Sequence, residues 1–88
     1  MRLIADIGGT NARFALVDSF GGQQALVKLA VAEHPAFDDA LDAALAQFGN
    51  PRVREAVLAV AGPIRAGMVA LTNADWLISE QALATRLG

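Results

Sequence analysis

No cysteine occurs in the 88 residues, so a disulfide framework, a thiolate nucleophile and a cysteine-ligated metal site are excluded. A single histidine likewise rules out a multi-histidine centre. Charge is sparse in both signs, with 7 Lys+Arg against 9 Asp+Glu and a net charge of −2. The basic residues are scattered as Arg2, Arg13, Lys28, Arg52, Arg54, Arg65 and Arg86, without a cluster able to neutralise consecutive phosphates of a duplex, so nucleic acid is not expected as a partner. Long apolar runs are missing too. Although 55% of the residues are hydrophobic, Asp6, Arg13 and Asp18 break the longest early stretch, and no run approaches the ~20 residues of a bilayer span. An acid at position 6 followed by Gly8 and Gly9 does not suit a signal-peptide core. These absences predict a cytoplasmic protein with no membrane partner. The length allows one small domain, and size scaling gives about 4,900 Å² of folded surface against about 13,300 Å² unfolded, a thin margin for a fold without staples.

The residues that are present pattern as strands first and then a helix. Leu3, Ile4, Ala5 and Ile7 form a short apolar stretch ending at Gly8-Gly9, which reads as a buried strand delivered into a tight turn. Ala12 to Val17 is the next strand; the space between Asn11 and Asp18 is too short for a well-formed helix. The Asp18 to Gln24 stretch, with Gly21-Gly22, reads as a hairpin turn, and Ala25 to Ala32 as a third strand. After His34-Pro35 the period changes. Phe37, Ala40, Leu41, Ala44, Leu45 and Phe48 recur at helical spacing, with Asp38, Asp39 and Asp42 in the first two turns, where exposed amides favour negative charge. Ala36 offers no side-chain acceptor at the helix start, which leaves Asp38 or Asp39 to bond the free amides. Gly49-Asn50-Pro51 ends the helix. Glu55 to Ala61 returns as a strand closed by Gly62-Pro63, and Met68 to Leu71 is a short extended piece after a glycine turn. A last helix follows Ser79, its expected cap, with Ile78 and Leu83 placed as a hydrophobic staple.

Two stretches carry candidate chemistry. In Asp6-Ile7-Gly8-Gly9-Thr10-Asn11-Ala12-Arg13, a carboxylate at a strand end precedes two residues without Cβ and a hydroxyl residue. Backbone amides can there converge on an anion while the acid holds a hydrated divalent cation, an arrangement suited to polyphosphate with Mg²⁺. A plain hairpin with a Gly-Gly turn and an exposed Asp remains the alternative. The pattern is neither of the two nucleotide signatures that require a following helix. The second stretch is Ala61-Gly62-Pro63 with Leu71-Thr72-Asn73-Ala74-Asp75-Trp76. Thr72 and Asn73 offer a hydroxyl and an amide, and Trp76, the only tryptophan, either shelters a polyol pocket or covers the edge of the core. His34 reads as a loop residue at a helix entrance, and Asp38, Asp39 and Asp42 as a solvated helix face. Neither Asp18 nor Glu80 has an identifiable acid–base partner.

The run from Leu3 to Leu16, with Ala61-Gly62-Pro63-Ile64 and Val69 to Trp76 in the same order, resembles the opening of the bacterial glucokinases, of the sugar-kinase, Hsp70 and actin superfamily. The resemblance implies an α/β, ribonuclease-H-like N-terminal domain with a strand meander, a right-handed crossover helix, a returning strand parallel to the first, and a terminal helix. It also implies ATP and Mg²⁺ as cofactors and D-glucose as substrate. By resemblance Asp6 positions the metal through water, Gly8, Gly9, Thr10 and Asn11 approach the phosphates, and Thr72, Asn73 and Trp76 build the sugar side, more through structure than direct contact. The role of Arg13 just beyond the turn stays open. The family's catalytic aspartate, in an Asn-Asp-Phe motif, and its second domain are absent from residues 1–88. The chain therefore reads as an N-terminal, partial domain carrying the first phosphate loop, inactive alone and partnered by the remainder of a longer chain; a homodimer is compatible with the resemblance. Another sugar kinase of the superfamily, or a non-catalytic anion-binding or structural fragment, are the competing readings.

Overall fold

The computed structural model describes residues 1–60, 64–70 and 76–87. Three strands open the chain: β1 (Arg2–Ile7), β2 (Asn11–Val17) and β3 (Gln23–Ala30). A single 3₁₀ turn at Val31–Glu33 leads to helix α1 (Phe37–Gln47), which is followed by β4 (Glu55–Val60). The short strands β5 (Ile64–Arg65), β6 (Met68–Ala70) and β7 (Leu77–Ser79) precede helix α2 (Glu80–Leu87). No helix among the described residues is long and apolar enough to cross a membrane.

The main sheet has the order β3-β2-β1-β4. Its first three strands form an antiparallel meander, and β4 pairs parallel with β1, Ile4 lying opposite Val57. This is the pairing the resemblance implies. Strand alternation fixes which face is covered, because successive side chains point to opposite sides. Leu3, Ala5 and Ile7 of β1 and Ala12, Phe14 and Leu16 of β2 are buried with Phe37, Ala40, Leu41, Ala44 and Leu45 of α1 in one cluster. The helical spacing of those α1 residues thus meets the period-2 spacing of the strands across a single interface.

At the N-cap Ala36 adopts an extended backbone, and the side chain of Asp39 accepts its amide at 3.0 Å. This is the acidic half of a capping box, as expected where the cap itself has no acceptor. Ser79 caps α2 in the ordinary way, its Oγ accepting the amide of Ala82 at 3.2 Å. Leu83 and Leu87 pack against the cluster that contains Ile78.

Two expectations are corrected. The third strand spans 23–30, not 25–32: Gln23 pairs with Val17 although polar, Gln24 stands at the irregularity between that pair and the next, and at Val31 the chain turns inward, burying that residue. The sequence pattern also overlooks a second sheet, β5-β6-β7, in which Val69 lies opposite Ile78 and both are buried. Of its strands only β6 falls in a stretch read as extended, Met68 to Leu71; two or three residues hold too little periodicity to show β5 and β7 or the pairing.

Candidate functional site

The turn between β1 and β2 is a three-residue connection, Gly8 to Thr10, that continues directly into a strand. Its geometry comes from the backbone. The Gly8 amide donates to the Asn11 carbonyl at 2.9 Å, and the Thr10 carbonyl accepts the Val31 amide at 2.9 Å. The Gly8 N–H is therefore engaged in closing the turn. No turn or loop carbonyl among the described residues accepts from Gly9 or Thr10, so these are the amides available to an anion.

Glycine is not demanded here by conformation. Among the described residues the glycines at positive φ are Gly21, Gly49 and Gly67, not Gly8 or Gly9. A Cβ built on Gly8 would approach the Asn11 carbonyl at 3.5 Å, ordinary van der Waals contact. The fold would accept a side chain at Gly8. Its absence leaves the backbone open to close approach from outside.

Asp6 occupies the exposed face of β1 one position before Ile7 enters the core. The strand register sets Arg13 beside it on β2 and Lys28 beside Arg13 on β3, with Ala59 on the β4 side. All three charged residues are exposed, and cross-strand neighbours stand about 5 Å apart at Cβ. The row therefore runs carboxylate, guanidinium, ammonium from β1 to β3, one negative charge against two positive ones, a balance that leaves net positive charge for an anion. No group of three or more His, Asp or Glu side chains forms among the described residues. Asp6 thus belongs to no such cluster among the described residues, and a single carboxylate of this kind would hold a hydrated Mg²⁺ ion chiefly through its waters.

Of the second stretch, Thr72, Asn73 and Asp75, like Gly62 and Pro63, lie outside the described residues. Trp76 is described and is 1% exposed. Its ring meets Phe37 edge-on, centroids 5.9 Å apart, and Phe37 in turn lies 6.3 Å from Phe14. The indole N–H donates to the His34 carbonyl at 2.9 Å. Trp76 therefore sits in the core, as the covering role would have it. Nothing local marks His34 as its partner, because 42 residues separate them. Asp18, which had no assigned task, organises the β2–β3 hairpin: its Oδ1 accepts the amides of Phe20 and Gly22 at 2.9 and 2.8 Å, and its Oδ2 accepts from Gln24 Nε2 at 2.6 Å.

A family model described as glucokinase matches residues 3–88. A glucokinase of Caulobacter sp. (strain K31) is 45% identical over 84 residues, covering 92% of this chain and 26% of that protein. A glucokinase of Sinorhizobium fredii is 44% identical over 87 residues, covering 98% of this chain and 26% of that protein. Among solved structures, the crystal structure of glucokinase from an Antarctic psychrotroph superposes with a TM-score of 0.84 at 35% identity, over 98% of this chain and 29% of that one. The chain spans about a quarter of the length of the curated relatives it matches.

Proposed function

The chain belongs to the glucokinase family, and from that premise we propose that the full-length protein transfers the terminal phosphoryl group of ATP to the 6-hydroxyl of D-glucose. In this reading, residues 1–88 are an N-terminal, partial domain that supplies the phosphate side of the site. The observation that carries it is the turn itself, where the fold would tolerate a side chain at Gly8 while the amides of Gly9 and Thr10 have no carbonyl acceptor among the described turns and loops.

The residues present fit Mg²⁺ and a polyphosphate. Gly9 and Thr10 would donate backbone N–H bonds to phosphate oxygens, with Asn11 at the start of β2 next to them. Asp6 would hold the cation through its waters, and Arg13 and Lys28 would add positive charge along the same row. When bound, Mg²⁺ neutralises charge that develops on the transferred group. What this chain contributes is orientation: donors fixed by a hydrogen-bonded turn at the end of a sheet, needing little rearrangement as charge builds. Thr72, Asn73 and Trp76 belong to the sugar side in this reading, with Trp76 acting from the core.

Deprotonating the sugar hydroxyl needs a base within hydrogen-bond reach. By resemblance that base is the aspartate of an Asn-Asp-Phe motif, and residues 1–88 do not contain the motif. A coupled glucose-6-phosphate assay on the full-length protein and on residues 1–88 tests the proposal. The expected result is ATP- and glucose-dependent product from the full-length protein alone; product from residues 1–88, after removal of host kinase, would contradict it. Asp6→Asn in the full-length protein should keep the fold and lower turnover most at limiting Mg²⁺, and unchanged turnover there would remove Asp6 from the metal role.

A further inference from the structure

Two acids stand in register opposite arginines on the exposed face of the main sheet, and they behave differently. Arg2 of β1 lies opposite Glu55 of β4, and its guanidinium closes on the carboxylate at 3.2 Å although both side chains are well exposed. Asp6 of β1 lies opposite Arg13 of β2, yet the ion pairs among the described residues are Arg2–Glu55 and Arg86–Asp42. The Asp6 carboxyl is carried on one methylene fewer than that of Glu55. Arg13 thus holds a place one ladder position from the Ile7–Ala12 pair that opens the Gly8–Thr10 turn, with its charge uncommitted among the described residues.

On its other side Arg13 faces Lys28 of β3, a cation that can only repel it. Like charges directly opposite across a ladder cost stability. Lys28 is exposed on an edge strand, where the fold would accept an acid, and the Arg2–Glu55 pair shows that a glutamate in register on this face captures its arginine. We propose that Lys28 is a positioning residue: by setting a cation where an acid would capture the Arg13 guanidinium, it keeps that guanidinium open to the phosphates of the nucleotide. This rests on the function proposed above and deepens it. Lys28 stands two strands from Asp6, about 10 Å by strand spacing, and acts through Arg13, the cation next to the turn.

Steady-state kinetics and urea denaturation of the full-length protein, at about 0.15 M salt where exposed charges are screened beyond about 8 Å, test this with Lys28→Glu, Arg13→Gln and the two combined. Lys28→Glu should raise the ATP KM about threefold or more, the effect of one captured cation, with the glucose KM within about twofold of the parent. The urea midpoint should shift upward at the same time, because a repulsion becomes a pair; a lysine that served the fold alone would lower it when replaced. Arg13→Gln should also raise the ATP KM, and adding Lys28→Glu to it should change that value by less than about twofold, since no guanidinium remains to be captured. Three results would each overturn the positioning role and leave Arg13 at the phosphates: an ATP KM that Arg13→Gln raises and Lys28→Glu does not, a Lys28→Glu effect undiminished in the Arg13→Gln background, or a Lys28→Glu midpoint that falls. An ATP KM unmoved by Arg13→Gln overturns the positioning role together with Arg13's place beside the phosphates, and the turn itself is then judged separately by Gly9→Val.

Discussion

At Gly21 the backbone lies at φ 83, a conformation that costs an L side chain roughly 1–2 kcal/mol. Gly8 is outside that region and has room for a Cβ. The two glycines should therefore separate by assay in the full-length protein. Gly21→Ala should lower stability by about 1 kcal/mol in urea denaturation and leave nucleotide kinetics alone. Gly8→Ala should stay within about 0.5 kcal/mol of the parent and raise the ATP KM. A Gly8→Ala variant with lost stability and normal ATP kinetics would make this glycine a requirement of the fold. Asp18 offers a further residue-level check. It is partly exposed and accepts three hydrogen bonds across the hairpin, so Asp18→Ala should cost about 1–2 kcal/mol without touching the site.

Helix α1 begins at a residue with the backbone of a cap and no capping side chain: Ala36 is at φ −139 and ψ 161. A hydroxyl there would meet the Asp39 amide, whose present acceptor is the Ala36 carbonyl at 3.1 Å. Ala36→Ser should stabilise the protein by about 0.5–1 kcal/mol, and Asp39→Ala should destabilise it by a similar amount, both read as shifts in the denaturation midpoint. The elements most legible in the sequence are those with a long single period. Strands β1, β2 and β4, with helix α1, follow from the spacing of Leu3 to Ile7, Ala12 to Val17, Val57 to Val60 and Phe37 to Leu45, because each buries one face against the same core. The ends of β3 were not legible, since Gln23 owes its strand conformation to pairing with Val17 across an irregularity at Gln24, and Val31 looks like one more apolar strand residue. The turn at Gly8-Gly9 could be found from local sequence alone. The Trp76 bond to His34 could not, because only the folded chain brings those positions together.

Across the whole molecule, one face of the main sheet is covered by α1 and the other is open among the described residues. Leu26, Ala15, Ile4 and Val57 line up across all four strands on that open face, with Leu26 58%, Ile4 39% and Val57 51% exposed. The accessible surface of 5506 Å² exceeds the about 4,900 Å² expected for a compact monomer of this mass. Residues 1–88 taken alone should accordingly associate as concentration rises, seen as a growing sedimentation coefficient, and Ile4→Thr with Val57→Thr should suppress it. A concentration-independent monomer would show that the open row carries no such drive.

The central claim is that the Gly8–Thr10 turn receives the phosphates of ATP in a glucose-phosphorylating protein. It is tested most directly by titrating Mg·ATP at saturating glucose in the coupled assay, with the full-length protein and its Gly9→Val variant side by side. The account predicts an ATP KM raised by at least about tenfold, or loss of activity, in a variant whose circular dichroism matches the parent. A folded Gly9→Val protein with the parent's ATP KM and kcat would contradict it.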